Sequence, residues 1–139
     1  MNPYIVVVDD DRQVVRFLKQ ALEEGGYSVA ATTSSRQALA LIRARAPDLL
    51  ILDLNMPEPN GFDLLRIERA QLPYLRILVI SGYLRGEQLE AARFLGAFGT
   101  LEKPFTAEGL VSKVREIIGE AHRSEAPSAR ARVGTVRRR

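Results

Sequence analysis

Apolar residues in this chain fall into two alternating patterns. Gap-free runs occupy residues 4–8 (Tyr-Ile-Val-Val-Val) and 49–52 (Leu-Leu-Ile-Leu), and 75–80 (Leu-Arg-Ile-Leu-Val-Ile) is another strongly apolar run, broken only by Arg76. Between them, apolar residues recur every three or four positions. An unbroken apolar run suits a strand covered on both faces, as in a parallel sheet sandwiched by helices. These runs predict β1 (4–8), β3 (49–53) and β4 (75–80) as central strands. Two weaker runs, β2 (27–31) and β5 (98–101, containing Gly99), read as edge strands.

The periodic segments predict helices. In α1 (12–24), Val14, Val15, Leu18, Ala21 and Leu22 share one face, and Gly25-Gly26 stops the helix. Ser34 with Gln37 forms a capping box for α2, whose buried stripe (Ala38, Leu41, Ile42) gives out at Arg45 before Pro47. Phe62, Leu65 and Ile67 mark α3 (61–71), and Gly86 and Gly96 bracket α4 (87–95). Thr106 caps α5, where Ala107, Leu110, Val111, Val114, Ile117, Ile118 and Ala121 form the cleanest stripe in the chain. Five βα units with β1, β3 and β4 central and right-handed crossovers give a doubly wound α/β sheet in the order 2-1-3-4-5.

Composition narrows the chemistry. The 139 residues suffice for one domain with a core. There is no Cys, hence no disulfide or thiolate chemistry, and the lone His122 argues against a His-based metal site or a Ser/His pair. No run reaches membrane-spanning length and no signal peptide opens the sequence, so a cytoplasmic protein is expected. The net charge of +3 is uneven: residues 123–139 hold six Arg and one Glu, about +5, which leaves the body at about −2. Periodicity ends there too. A domain over 1–122 followed by a basic, disordered tail over 123–139 is therefore expected. Six Arg without aromatics make a generic basic tail, and nucleic-acid binding is not expected of the domain itself.

The ends of the strands carry the chemistry. β1 runs into Asp9-Asp10-Asp11, β3 into Asp53, β4 into Ser81 and β5 into Glu102-Lys103. Parallel strands deliver these ends to one rim, where ligands of open α/β sheets bind. One of the three adjacent acids serves as a helix cap; capping does not account for all three. Clustered carboxylates are costly unless a cation compensates, and carboxylate and carbonyl oxygens suit Mg²⁺. A carboxylate nucleophile, a metal, a lysine and a hydroxyl are together the parts that receive a phosphoryl group.

Residues 3–122 resemble a response-regulator receiver domain of two-component signalling, chemotaxis regulators included. The likeness rests on Val7-Val8-Asp9-Asp10, on Leu52-Asp53-Leu54-Asn55-Met56-Pro57 with Gly61 beyond, on Val79-Ile80-Ser81-Gly82 and on Lys103-Pro104-Phe105. Each motif is weak singly; their joint order and spacing are specific. The resemblance implies a flavodoxin-like (βα)5 fold and makes Asp53 the phospho-acceptor. It implies Mg²⁺ held by Asp10, Asp53 and the Asn55 carbonyl, with Asp9 acting mainly through bound water. It gives Lys103 the phosphoryl oxygens, Ser81 a hydrogen bond to them, and Lys103–Pro104 a cis bond. It further implies a histidine kinase or phosphotransfer protein as donor, a downstream protein on the α4-β5-α5 face, and that same face as a route to a homodimer. Thr100 departs from the pattern, standing where the family often carries an aromatic that turns inward on activation. The output step is therefore expected to rest on Ser81 and on movement of residues 82–86. Tyr83, two past Ser81, is expected to slow phosphate loss.

Two other readings compete. An aspartyl-phosphate phosphatase of the haloacid dehalogenase type would use the Asp-x-Asp of Asp9 and Asp11, but Gln13 stands where Thr or Val is usual, and the Asp53–Asn55 loop would be unexplained. A phosphorylation-independent interaction module would have no need of the full acidic set.

Overall fold

The computed structural model describes residues 2–54, 66, 72–82, 86–94 and 96–125. Its elements are β1 (Tyr4–Val8), α1 (Arg12–Glu24), β2 (Ser28–Thr32), α2 (Ser35–Ala44), β3 (Leu49–Asp53), β4 (Ile77–Ser81), α4 (Gly86–Phe94), β5 (Gly99–Glu102) and α5 (Ala107–Glu125). The expected α3 lies outside the described residues apart from Arg66, which is helical. All strand pairs are parallel, in the order β2-β1-β3-β4-β5.

The gap-free runs are explained by two cores, one on each side of the sheet. Val6, Val8, Leu50, Leu52, Ile77 and Val79 face Ala38 and Ile42 of α2 and Ala92 of α4. The alternate residues Ile5, Val7, Leu49, Ile51, Leu78 and Ile80 face Leu18 and Leu22 of α1 and Leu110, Val114 and Ile117 of α5. Each strand residue therefore meets helix on whichever side it points, and β3 and β4 are buried throughout. Each such Leu or Ile contributes about 1.5–3 kcal/mol of burial. The edges differ as expected: β2 and β5 are mostly half-buried.

Local chemistry sets the helix ends. Asp11 caps α1, accepting from the backbone N–H of Gln13 and Val14, and Ser34 caps α2, accepting from Gln37 N. Gly25 closes α1, and Gly26 follows at φ 99°, a left-handed turn natural to glycine. Gly99 lets α5 approach β5: a Cβ there would stand 3.2 Å from Ile117 Cδ1.

Strand boundaries shift by one or two residues from the sequence expectation. Backbone pairing decides them: Ser81 pairs with Glu102 and Val8 with Thr32, so those polar residues close β4, β5 and β2. The helix α5 also runs to Glu125, three residues past the expected domain end at 122.

Candidate functional site

Four strand ends meet at one rim. Asp9 directly follows β1 and is fully buried; its backbone N–H donates to Thr32 O at 3.4 Å. Its Oδ1 accepts the Asp11 N–H at 2.9 Å, which turns the chain into α1. Asp10 between them is exposed. Asp53 closes β3 with 2% of its surface exposed, and Ser81 closes β4 with none. Lys103 follows β5, and its backbone N–H donates to the Ser81 carbonyl at 2.8 Å, which fixes where its side chain starts. The Lys103–Pro104 bond is cis.

The Lys103 ammonium bridges two of the carboxylates. It lies 2.8 Å from Asp9 Oδ2 and donates to Asp53 Oδ2 at 3.4 Å. Asp9 Oδ2 is a buried oxygen held by this ion pair, with no hydrogen-bond partner counted among the described residues. Burial raises the Asp9 pKa, aided by the charge of Asp53 and only partly offset by Lys103 and the Asp11 N–H. Burial opposes the charge on Lys103, but Asp9 and Asp53 overcome it and lift its pKa above 10.5.

A cation fits this donor set. Asp9, Asp10 and Asp53 each offer a carboxylate oxygen within 4.8 Å of one another. The single lysine leaves this cluster with excess negative charge, and Asp9 Oδ2 has acceptor capacity to spare. Hard oxygens of this kind suit Mg²⁺. Asn55, the expected carbonyl ligand, and Tyr83 lie outside the described residues. Thr100 is a half-buried residue of β5.

One feature of the rim was not singled out by sequence. Phe17 of α1 is 40% exposed and lies 6.2 Å, ring to ring, from Phe105. With Val14, Gln13, Asp11, Lys103 and Pro104 these rings line a cleft of about 330 Å³. The available signal was that Phe17 falls off the buried stripe of its own helix, between Val14 and Leu18.

The parallel doubly wound sheet thus carries an acidic triad, a bridging lysine and a strand-end serine on its carboxyl rim. The sequence model of the response regulator receiver domain matches residues 5–115, and the chain belongs to that family. It is 36% identical over 106 residues to the alginate biosynthesis transcriptional regulatory protein AlgB of Pseudomonas aeruginosa, covering 76% of this chain and 24% of that one. It is 38% identical over 125 residues to the transcriptional regulatory protein CpxR of Escherichia coli, covering 87% of this chain and 51% of that one. The chain thus spans about half, or less, of these curated relatives. Among solved structures, the CheY-like response regulator receiver domain protein of Methanospirillum hungatei superposes with a TM-score of 0.85 at 27% identity, covering 91% of this chain and all of that one. Family and fold favour a receiver of two-component signalling over the phosphatase and over the phosphorylation-independent module. Among the described residues no helix is long and apolar enough to cross a membrane.

Proposed function

We propose that Asp53 is the phospho-acceptor and takes its phosphoryl group from a phosphohistidine of a histidine kinase or phosphotransfer protein. The observation that carries this reading is the Lys103 ammonium spanning Asp9 and Asp53 at a rim where three carboxylates converge. One Asp53 oxygen forms the bond to phosphorus as the phosphorus–nitrogen bond breaks, and the electron pair leaves with the imidazole. Lys103 neutralises the phosphoryl oxygens, and the Ser81 hydroxyl donates to one of them. Asp9, Asp10, Asp53 and the Asn55 carbonyl would hold Mg²⁺, with Asp9 acting mainly through water. Bound there, the ion neutralises charge on the transferring group. The protein has no separate substrate; slow loss of its own acyl phosphate resets it.

The apolar cleft of Phe17 and Phe105 beside Lys103 gives the donor protein a surface to seat on. Output passes through the α4-β5-α5 face to a downstream protein or to a second copy. With Thr100 in place of an aromatic, Ser81 and residues 82–86 carry that step. We place the protein in the cytoplasm, with the residues beyond α5 a basic tail or linker after the domain.

The test is an intact mass after incubation with acetyl phosphate and Mg²⁺. The wild type gains one phosphoryl mass and the Asp53→Asn variant does not. Equal gain by both proteins would sink the assignment. Should neither gain mass, binding of beryllofluoride with Mg²⁺ decides, and its absence would also sink it.

A further inference from the structure

The opposite rim, where β4 and β5 begin, carries a groove of about 390 Å³ lined by Pro73, Tyr74, Leu75, Arg76, Gly96 and Phe98. It lies a whole strand from the acidic cluster, about 13 Å at 3.3 Å per residue. Aromatic surface is open to solvent here: Tyr74 is 91% exposed, Phe98 44%, and Phe94 at the end of α4 88%. Exposed aromatics grouped in this way mark an interaction surface.

Arg76 makes the groove specific. Its backbone is fixed, since its carbonyl accepts the Leu50 N–H at 2.9 Å. Its guanidinium lies 5.6 Å over the Phe98 ring, and its buried Nε has no hydrogen-bond partner among the described residues. A guanidinium in an aromatic setting presents a planar fork that matches a carboxylate. Arginine and aromatics are also the residues that dominate binding energy at interfaces.

We propose that this groove docks an extended segment of a partner protein in which a carboxylate side chain stands beside an aromatic or aliphatic one. The carboxylate pairs with Arg76, and its neighbour fills the space between Tyr74 and Phe98. Charge complementarity selects this occupant over the chain's own Arg-rich segment. That segment follows α5 in sequence, and α5 packs its Ile117 at Gly99 on this side of the sheet. The segment would bring arginines to a rim that already holds Arg76 and the exposed Arg93. The site is independent of the phospho-acceptor reading, and either can fail without the other.

The experiment pans a displayed library of short random peptides on the full chain, in parallel with Arg76→Gln and Tyr74→Ala. Both substitutions fall on the rim, so both variants keep phosphoryl uptake and the wild-type amide spectrum away from the groove. The expected consensus sets Asp or Glu beside an aromatic or aliphatic residue. The selected peptide shifts the amides of Leu75, Arg76, Ala97 and Phe98; Arg76→Gln weakens it about tenfold or more, the loss of a charge-assisted contact, and Tyr74→Ala weakens it through lost apolar contact. Three results overturn the proposal: no enrichment, a consensus without an acid, or amide shifts elsewhere. An arginine-rich consensus hands the groove to the chain's own tail. Self-association that Tyr74→Ala abolishes hands it to a second copy. Both of these overturn it as well.

Discussion

The two rims of one sheet break opposite rules of folding. At the carboxyl rim, polar groups are buried: Asp9, Asp53 and Ser81 are at most 2% exposed. At the amino rim, large apolar groups are exposed: Tyr74 and Phe94 are about nine-tenths open to solvent. Between them, β3 and β4 are apolar and closed. The middle is what stability alone would build, and the rims are where it is set aside, as expected of functional surfaces. The kind of violation differs too. Buried charge suits chemistry on a small charged group, whereas open aromatic surface suits a macromolecule.

The comparison breaks most visibly at Lys103. Lys103→Ala should slow phosphoryl uptake from acetyl phosphate by about 100- to 1000-fold, the usual cost of removing one electrostatic stabiliser. A time course of intact mass checks this, and Arg76→Gln at the other rim should leave the rate unchanged.

Between the rims, Leu50→Ala should cost about 2–5 kcal/mol by urea denaturation, because a fully buried side chain leaves a cavity. Tyr74→Ala should change stability by no more than about 0.5 kcal/mol in the same assay. Equal costs would mean that the amino-rim aromatics belong to the core.

The subtlest effect belongs to Asp9. Its pKa is raised in the fold, so the folded protein holds that proton more tightly than the unfolded chain does. Its contribution to stability is therefore full below about 3.8 and is lost as pH rises through the folded value. At neutral pH without metal, the ionised group is a burden. Asp9→Asn should raise the melting temperature there, flatten its dependence on pH above 3.8, and shrink the rise produced by Mg²⁺. A lower melting temperature in metal-free buffer would show that the Lys103 ion pair outweighs burial.

Much of this was legible in the sequence because a βα repeat writes its rim into the chain. Asp9, Asp53 and Ser81 each stand where an apolar run stops, and Lys103 one residue beyond, so the sheet order alone brings them together. Of the acidic trio, structure rather than sequence assigns the cap to Asp11 and the ion pair to Asp9. The pairing of Arg76 with Phe98 was not legible, since it joins the residues just before two strands through a contact with no periodic signature. Phe17 beside Phe105 was hidden for the same reason. Strand ends moved by one or two residues because the neighbour's register, and not the residue itself, decides where pairing stops. The Asn55 loop and α3 lie outside the described residues.

The most direct test of the acceptor assignment is to trap the acyl phosphate chemically. Protein phosphorylated with acetyl phosphate and Mg²⁺ is reduced with borohydride, digested and sequenced by mass spectrometry. Reduction turns a phosphorylated aspartate into homoserine and leaves free aspartates unchanged. The account predicts homoserine at position 53 and aspartate retained at Asp9, Asp10 and Asp11. Homoserine at position 9, 10 or 11, with Asp53 intact, would contradict it and return the phosphatase reading.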